Sequence, residues 1–205
     1  MQKLFSQEIR FKQDDGSDFP EWEEVTVSEM AHIVSGGTPS TTNIDFWNGD
    51  INWFTPTEIS QRYSSKSERK ITELGLASSS ATLIPVNNIL FTSRATVGEI
   101  SITTEVCCTN QGFQSFLIKK DSDLYFVYYW IKANRNKFLK VATGTTFIEV
   151  SKKEIEKLLV LKPHLYEQIK IGSILKRIDD KIDVISNSYD NHLSFKKSVL
   201  QKMFV

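Results

Sequence analysis

The stretch IGSILKRIDDKIDVISNSYDNHLSFKKSVLQKMFV (171–205) decides the architecture. Ile171, Leu175, Ile178, Ile182, Ile185 and Tyr189 follow one another at steps of 4, 3, 4, 3 and 4, the spacing of a coiled-coil seam. The positions between them are largely Lys, Arg, Asp and Ser. The strict heptad then lands on His192 and Lys196, whereas a second step of four lands on Leu193, with Leu200 seven further on. One phase shift therefore restores the stripe. No Pro or Gly lies between Ser173 and Val205. A single helix is expected from Tyr166 to Phe204, about 39 residues and roughly 58 Å long. So long and one-sided a helix needs a partner helix to cover its stripe.

Upstream, the apolar run LLVLKP (158–163) closes a globular part. Ser151 is placed to cap a short helix over 152–157, and the spacing of Leu124, Val127, Tyr128, Ile131, Phe138 and Leu139 predicts an amphipathic helix from Ser122, its cap, to Lys140, with a basic outer face. From Glu24 to Ile118 the text is strand-like: EEVTV, HIV, INWF, ILFTS, EISIT and FQSFLI, separated by Gly, Pro, Asn and Ser. One helix is expected near Ile71 to Ser80, capped by Thr72, and another over Gln2 to Phe11, stopped by Gly16 and Pro20. The fold class is α+β: a mostly β domain with several helices over 19–163, then a long coiled-coil helix over 164–205. QKLFSQ at Gln2 and QKMFV at Gln201 repeat with a period of 199 residues, so 1–18 reads as the end of a like helix plus a linker, and the chain as one unit of a tandem duplication. Chance likeness of two helix ends accounts for four matching positions about equally well.

The 205 residues carry 25 Lys+Arg and 25 Asp+Glu, yet residues 1–50 hold 10 acids and 3 bases while 151–205 hold 7 and 11. Balance overall excludes a uniformly basic nucleic-acid coat, and the drift leaves room for a local phosphate-facing surface. No window approaches the ~18 apolar residues of a membrane span, and MQKLFSQEIRFK lacks the order of a signal peptide; a cytoplasmic location is expected, with no membrane partner. Cys107 and Cys108 are adjacent, which suits neither an ordinary disulfide nor a structural zinc site. The sequence contains no GxxxxGK[ST], GxGxxG after a strand, GxSxG or HExxH, and its three histidines, His32, His164 and His192, are scattered. These absences point to a binding or assembly protein, with no catalytic residue, metal or cofactor.

The runs IVSGGTPSTTNIDFWNGDINWFTPTEI (33–59), LFTSRATVGEISI (90–102), TNQGFQSFLI (109–118), TGTTFIEVS (143–151) and LLVLKPHLYEQIKIGSILKRIDDKID (158–183) come in an order that resembles the target-recognition domain and spacer helix of type I restriction-modification specificity subunits. The resemblance covers essentially the whole chain. One departure, Lys162-Pro163-His164-Leu165-Tyr166 where the family more often has Pro-Pro before Glu-Gln, bears only on where the helix starts. The resemblance implies a non-enzymatic half-subunit that reads one half of a split duplex DNA site. Its implied partners are methyltransferase and restriction subunits, plus the other half or a second copy joined through the long helix. The alternative is a coiled-coil adaptor that binds proteins without reading DNA.

Candidate DNA contacts are polar and basic. Arg62, Lys66, Arg69 and Lys70 in QRYSSKSERK (61–70) offer phosphate neutralisation and guanine readout, although a solvated loop would look the same. Arg94 would meet a phosphate or an internal carboxylate. Thr143, Thr145 and Thr146, flanked by Lys140 and Lys152, form either a phosphate-binding loop or a plain turn. Gly36, Gly37 and Pro39 are expected in a tight turn, Trp47, Trp53, Phe54 and Phe113 in the core, and Gln111 in an internal hydrogen bond.

Overall fold

A computed structural model describes residues 1–144 and 148–203. The elements in order are α1 (Gln2–Phe5), β1 (Glu23–Thr26), α2 (Val27–Met30), β2 (Ala31–Ser35), β3 (Trp47–Phe54), β4 (Tyr63–Ser64), β5 (Arg69–Ile71), α3 (Glu73–Ala77), β6 (Ile89–Phe91), β7 (Ile100–Thr103), β8 (Cys107–Thr109), β9 (Gln114–Ile118), α4 (Leu124–Ala133), α5 (Arg135–Val141), α6 (Lys152–Glu156), β10 (Leu159–Lys162) and α7 (Leu165–Met203). The α+β class and the long terminal helix are as expected. The first helix is shorter: it ends at Phe5, and Gln7 turns the chain with φ at 61°. Thr72 and Ser151 cap α3 and α6, accepting from the amides of Gly75 and Glu154. The cap of α4 is Asp123 rather than Ser122, accepting from the Phe126 amide. The helix is also interrupted at Asn134, and Phe126 through Ile131 are all buried. Its outer face is thus largely covered by protein instead of basic and solvated.

The sheets explain which side chain goes where. A five-stranded sheet runs β2-β9-β6-β7-β4, a three-stranded sheet β5-β3-β8, and β1 pairs antiparallel with β10. Because successive side chains on a strand face opposite ways, Ile89 and Phe91 enter the main core with Phe116, Phe126 and Phe138, while Leu90 joins Phe54, Cys107 and Phe113 on the other side. Trp53 and Cys108 alternate with Phe54 and Cys107 into a third cluster with Trp47 and Ile71. Adjacent cysteines thereby serve different cores. Burial pushes both thiols up to about 12, so they remain protonated and unreactive at neutral pH.

The start of α7 is locked into this domain. Glu167 and Gln168 are fully buried. The Glu167 carboxylate accepts from Trp22 Nε1 at 3.0 Å and Arg10 Nη2 at 3.1 Å. Gln168 Oε1 accepts from the Asp123 amide at 2.9 Å, and its Nε2 donates to the Pro163 carbonyl at 2.9 Å. Gly172 lets α4 approach: a Cβ there would stand 2.3 Å from Asp123 Oδ1. Ile171 and Leu175 belong to the main core, which corrects the expectation that they form the start of an intermolecular seam. The other four seam residues, Ile178, Ile182, Ile185 and Tyr189, are exposed.

Candidate nucleic-acid interface

The residues expected to meet DNA divide into three groups. Arg62 leaves the candidate surface. It lies just before β4, its Nη2 donates to Asp180 Oδ1 at 2.6 Å and Asp183 Oδ2 at 2.5 Å on α7, and its guanidinium stands 5.0 Å from the Tyr63 ring. Burial pulls its pKa down, but neighbouring Tyr129, Tyr63 and Asp180 outweigh that and hold it above the ordinary arginine value. Both carboxylates are held by Nη2, Nη1 turns to the Lys176 carbonyl and Nε is buried, so no edge of the guanidinium stands open to a phosphate or guanine. Arg69, on β5, stacks 3.6 Å from the centre of the Trp47 ring, and Trp47 meets Trp53 edge-on at 5.1 Å. The indoles are held in turn by carbonyls of the GGTPS run: Trp53 Nε1 donates to Gly37 and Trp47 Nε1 to Ser40.

That run is not the expected tight turn. Neither Gly36 nor Gly37 has a positive φ. Both are needed for close approach, since a Cβ on Gly36 would lie 1.9 Å from the Asn110 carbonyl and one on Gly37 2.4 Å from the Ala81 nitrogen. Trp47, Trp53, Phe54 and Phe113 are buried, as expected of core aromatics.

The second group is solvent-facing. Lys66, between β4 and β5, Lys70 on β5, opposite Asn52 of β3, and Lys140 at the end of α5 are exposed. Lys152 is also exposed and lies 3.7 Å from Glu156, one turn along α6, a pairing too weak to withhold it from a phosphate.

The third group meets at one depression. Arg94 pairs with Glu149 at 2.8 Å, so of the two partners open to it the structure supplies the carboxylate. Thr143 exchanges backbone hydrogen bonds with Glu149 at 2.8 and 2.9 Å, which brings Thr143 beside the same carboxylate; Thr145 and Thr146 lie outside the described residues. The depression, about 470 Å³, is lined by Pro56, Arg94, Ala95, Asn110, Gln111, Gly112 and Glu149. Gln111 is exposed, and its Oε1 accepts from Thr38 Oγ1 at 2.6 Å, so the hydrogen bond it makes lies at the surface and not in the interior. Asn110 was not read from the sequence, and Ala95 carries a left-handed backbone, φ 58°, for which an Arg-Ala-Thr tripeptide gives no signal.

A larger groove of about 750 Å³ lies between the domain and α7. Its cations are all engaged: Arg62 as above, Lys132 by Asp179 at 3.4 Å and Arg135 by Glu99 at 2.7 Å. Among the described residues no His, Cys, Asp or Glu cluster could hold a metal ion, and no helix is long and apolar enough to cross a membrane.

Comparison with known proteins gives the chain its relatives. The MjaIX type I restriction enzyme specificity subunit of Methanocaldococcus jannaschii is 32% identical over 185 residues, covering 87% of this chain and 43% of that one. The EcoR124I/EcoR124II specificity subunit of Escherichia coli is 28% identical over 191 residues, covering 90% and 46%. The fold resembles the HsdS subunit from Thermoanaerobacter tengcongensis, with a TM-score of 0.64 at 18% identity over 86% of this chain and 42% of that one. The chain thus spans less than half the length of these relatives. The type I restriction modification DNA specificity domain matches residues 20–191, and a match over most of the chain, ending well inside α7, means that this protein belongs to that family.

Proposed function

We propose that this chain is a non-catalytic, cytoplasmic DNA-reading half of a type I specificity subunit. It recognises one half of a split duplex site and carries a methyltransferase subunit, and with it a restriction subunit, to that site. The observation that carries the reading is the family match over 20–191. Lys66, Lys70, Lys140 and Lys152 would neutralise phosphates, and the depression at Arg94, Gln111 and Thr143 is the candidate for contacts beyond simple charge. In organisation we propose a recognition domain over 19–163, a spacer helix over 164–205 and, over 1–18, the end of a like helix plus a linker.

The exposed stripe Ile178, Ile182, Ile185 and Tyr189 would be covered by a like helix, from the other half of a longer chain or from a second copy in an antiparallel two-fold pair. Burying each such side chain yields ~1.5–3 kcal/mol. Two copies so paired would prefer an interrupted palindrome. Selection on random duplexes with the methyltransferase subunit present tests the reading and is expected to return a split site. Lys66→Ala plus Lys70→Ala should reduce the slope of log affinity against log salt by about 2, at roughly 0.9 per phosphate contact. Binding that ignores both salt and sequence would leave only the adaptor. Sedimentation at micromolar concentration should show a dimer that Ile178→Asp plus Ile182→Asp dissociates; a monomeric parent chain would overturn the second-copy arrangement.

A further inference from the structure

Apolar packing of α7 on the domain stops at Leu175, because Ile178 and Ile182 are already about half exposed, at 48% and 53%. Yet the helix stays attached for two further turns, mainly through polar contacts. Arg62 reaches Asp180 and Asp183 and lies 3.5 Å from the Lys176 carbonyl. Lys176 Nζ bonds Asp180 Oδ2 at 2.6 Å, and Tyr129 donates to Asp179 at 3.0 Å. Residues 176, 179, 180 and 183 share one helix face; at 100° per residue, 178 and 185 lie roughly opposite, while Ile182 sits at the flank and lines the groove between α7 and the domain. Beyond Asp183, Val184 through Gln201 are exposed.

We propose that Arg62 is a positioning residue. By gripping Asp180 and Asp183 it fixes both the direction in which α7 leaves the domain and the rotation that turns Ile178 and Ile185 outward, and so sets the distance and phase between the two DNA half-sites. The DNA half of this statement rests on the function proposed above; the geometric half does not. The lever is long. About 20 residues project past the clasp, ~30 Å, so a swing of about 10° at Asp183 moves the far end by ~5 Å, more than the ~3.4 Å between successive base pairs. A clasp that close to the pivot controls spacing to within about one base pair. Its polar character suits the task, since two carboxylates one helical turn apart, both bonded to Nη2 of one guanidinium, define orientation where a greasy contact would permit sliding.

The test uses the full chain with spin labels on Ser78→Cys and Asn191→Cys, diluted with unlabelled protein so that only distances within one molecule are read; Cys107 and Cys108 are buried and stay unlabelled. Arg62→Met, which keeps the side-chain length, and separately Asp180→Asn plus Asp183→Asn, which changes only the helix, should each broaden the distance distribution by roughly 5 Å, with Arg62→Lys intermediate. Unchanged distributions in both would overturn the positioning role. On duplexes whose half-sites are moved one base pair closer or farther apart, the parent should prefer one spacing, and the variants should lose that preference while keeping affinity for an isolated half-site. Broadened distances with unaltered spacing preference would overturn the DNA half. Failure of the parent to bind any duplex would overturn the proposed function and leave the distance measurement to decide the clasp.

Discussion

The two halves of α7 have the same rhythm and opposite fates. Over 165–183 the helix is fastened by a core (Ile171, Leu175), a buried carboxylate (Glu167), a buried amide (Gln168) and the Arg62 clasp; over 184–201 every residue is exposed. The heptad spacing runs across the boundary without a break. Periodicity therefore tells which face of a helix is apolar and says nothing about what covers it: Ile171 and Ile185 occupy equivalent positions, yet one is 1% and the other 68% exposed.

That contrast can be broken most easily at its strongest point. Ile171→Ala should cost about 4 kcal/mol, within the range for a fully buried aliphatic side chain, and should be read as a lowered urea midpoint. Glu167→Ala should cost about 3 kcal/mol. It strands the buried indole N–H of Trp22 and removes one carboxylate partner of Arg10, whose partial exposure, 21%, pairing with Glu21 and contacts with the Phe19 and Pro20 carbonyls soften the loss. If thermal melting moved equally little for both, the first half of α7 would be no better fastened than the second.

Asp123, which caps α4 against Gly172 of α7, sharpens the comparison at a smaller scale. Asp123→Ala should cost about 1 kcal/mol as a lost cap, whereas Asp123→Asn keeps the acceptor and should fall within a few tenths. Burial raises the Asp123 pKa despite its bonds to the Phe126 and Tyr125 amides. A carboxyl that holds its proton more tightly when folded favours the native state below its unfolded value near 3.8. That contribution is lost as pH rises through the raised folded value. Stability of Asp123→Asn relative to the parent should therefore increase with pH across that window. A flat difference would show that Asp123 is solvated. The smallest effects belong to the distal half: Ile185→Ala and Asp190→Ala should leave monomer stability within ~0.5 kcal/mol, and only the first should weaken self-association.

How much of this is legible in the sequence depends on whether the signal is local. The long helix, the caps at Thr72 and Ser151 and the buried aromatics follow from spacing and side-chain chemistry within a few residues. The two-faced alternation of Cys107 and Cys108 is implicit in any strand. What escaped is long-range. Arg62 looks like its basic neighbours Lys66 and Lys70, and only a fold that brings residue 62 to residues 180 and 183 makes it a clasp. Gly36 and Gly37 look like turn residues, but it is the arrival of Asn110 and Ala81 that excludes a Cβ. At the depression, Arg94 and Thr143 could each be singled out from composition, whereas their meeting at Glu149, and the presence of Gln111 and Asn110 beside them, required the tertiary structure.

The ladder between β1 and β10 has one more consequence. Glu23 pairs with Lys162 and Thr26 with Leu159, so the chain arrives at the globular part and departs from it through neighbouring strands of one two-stranded ribbon. Mechanically, the residues between are a closed bight hung on a rod. Loops within it other than the one that carries Arg62 can lengthen or shorten, and the two ends of the bight, fixed to each other, need not move; the rod keeps its length, and it keeps its heading while the Arg62 clasp holds. A molecule built this way can change what it grips without changing how far it reaches.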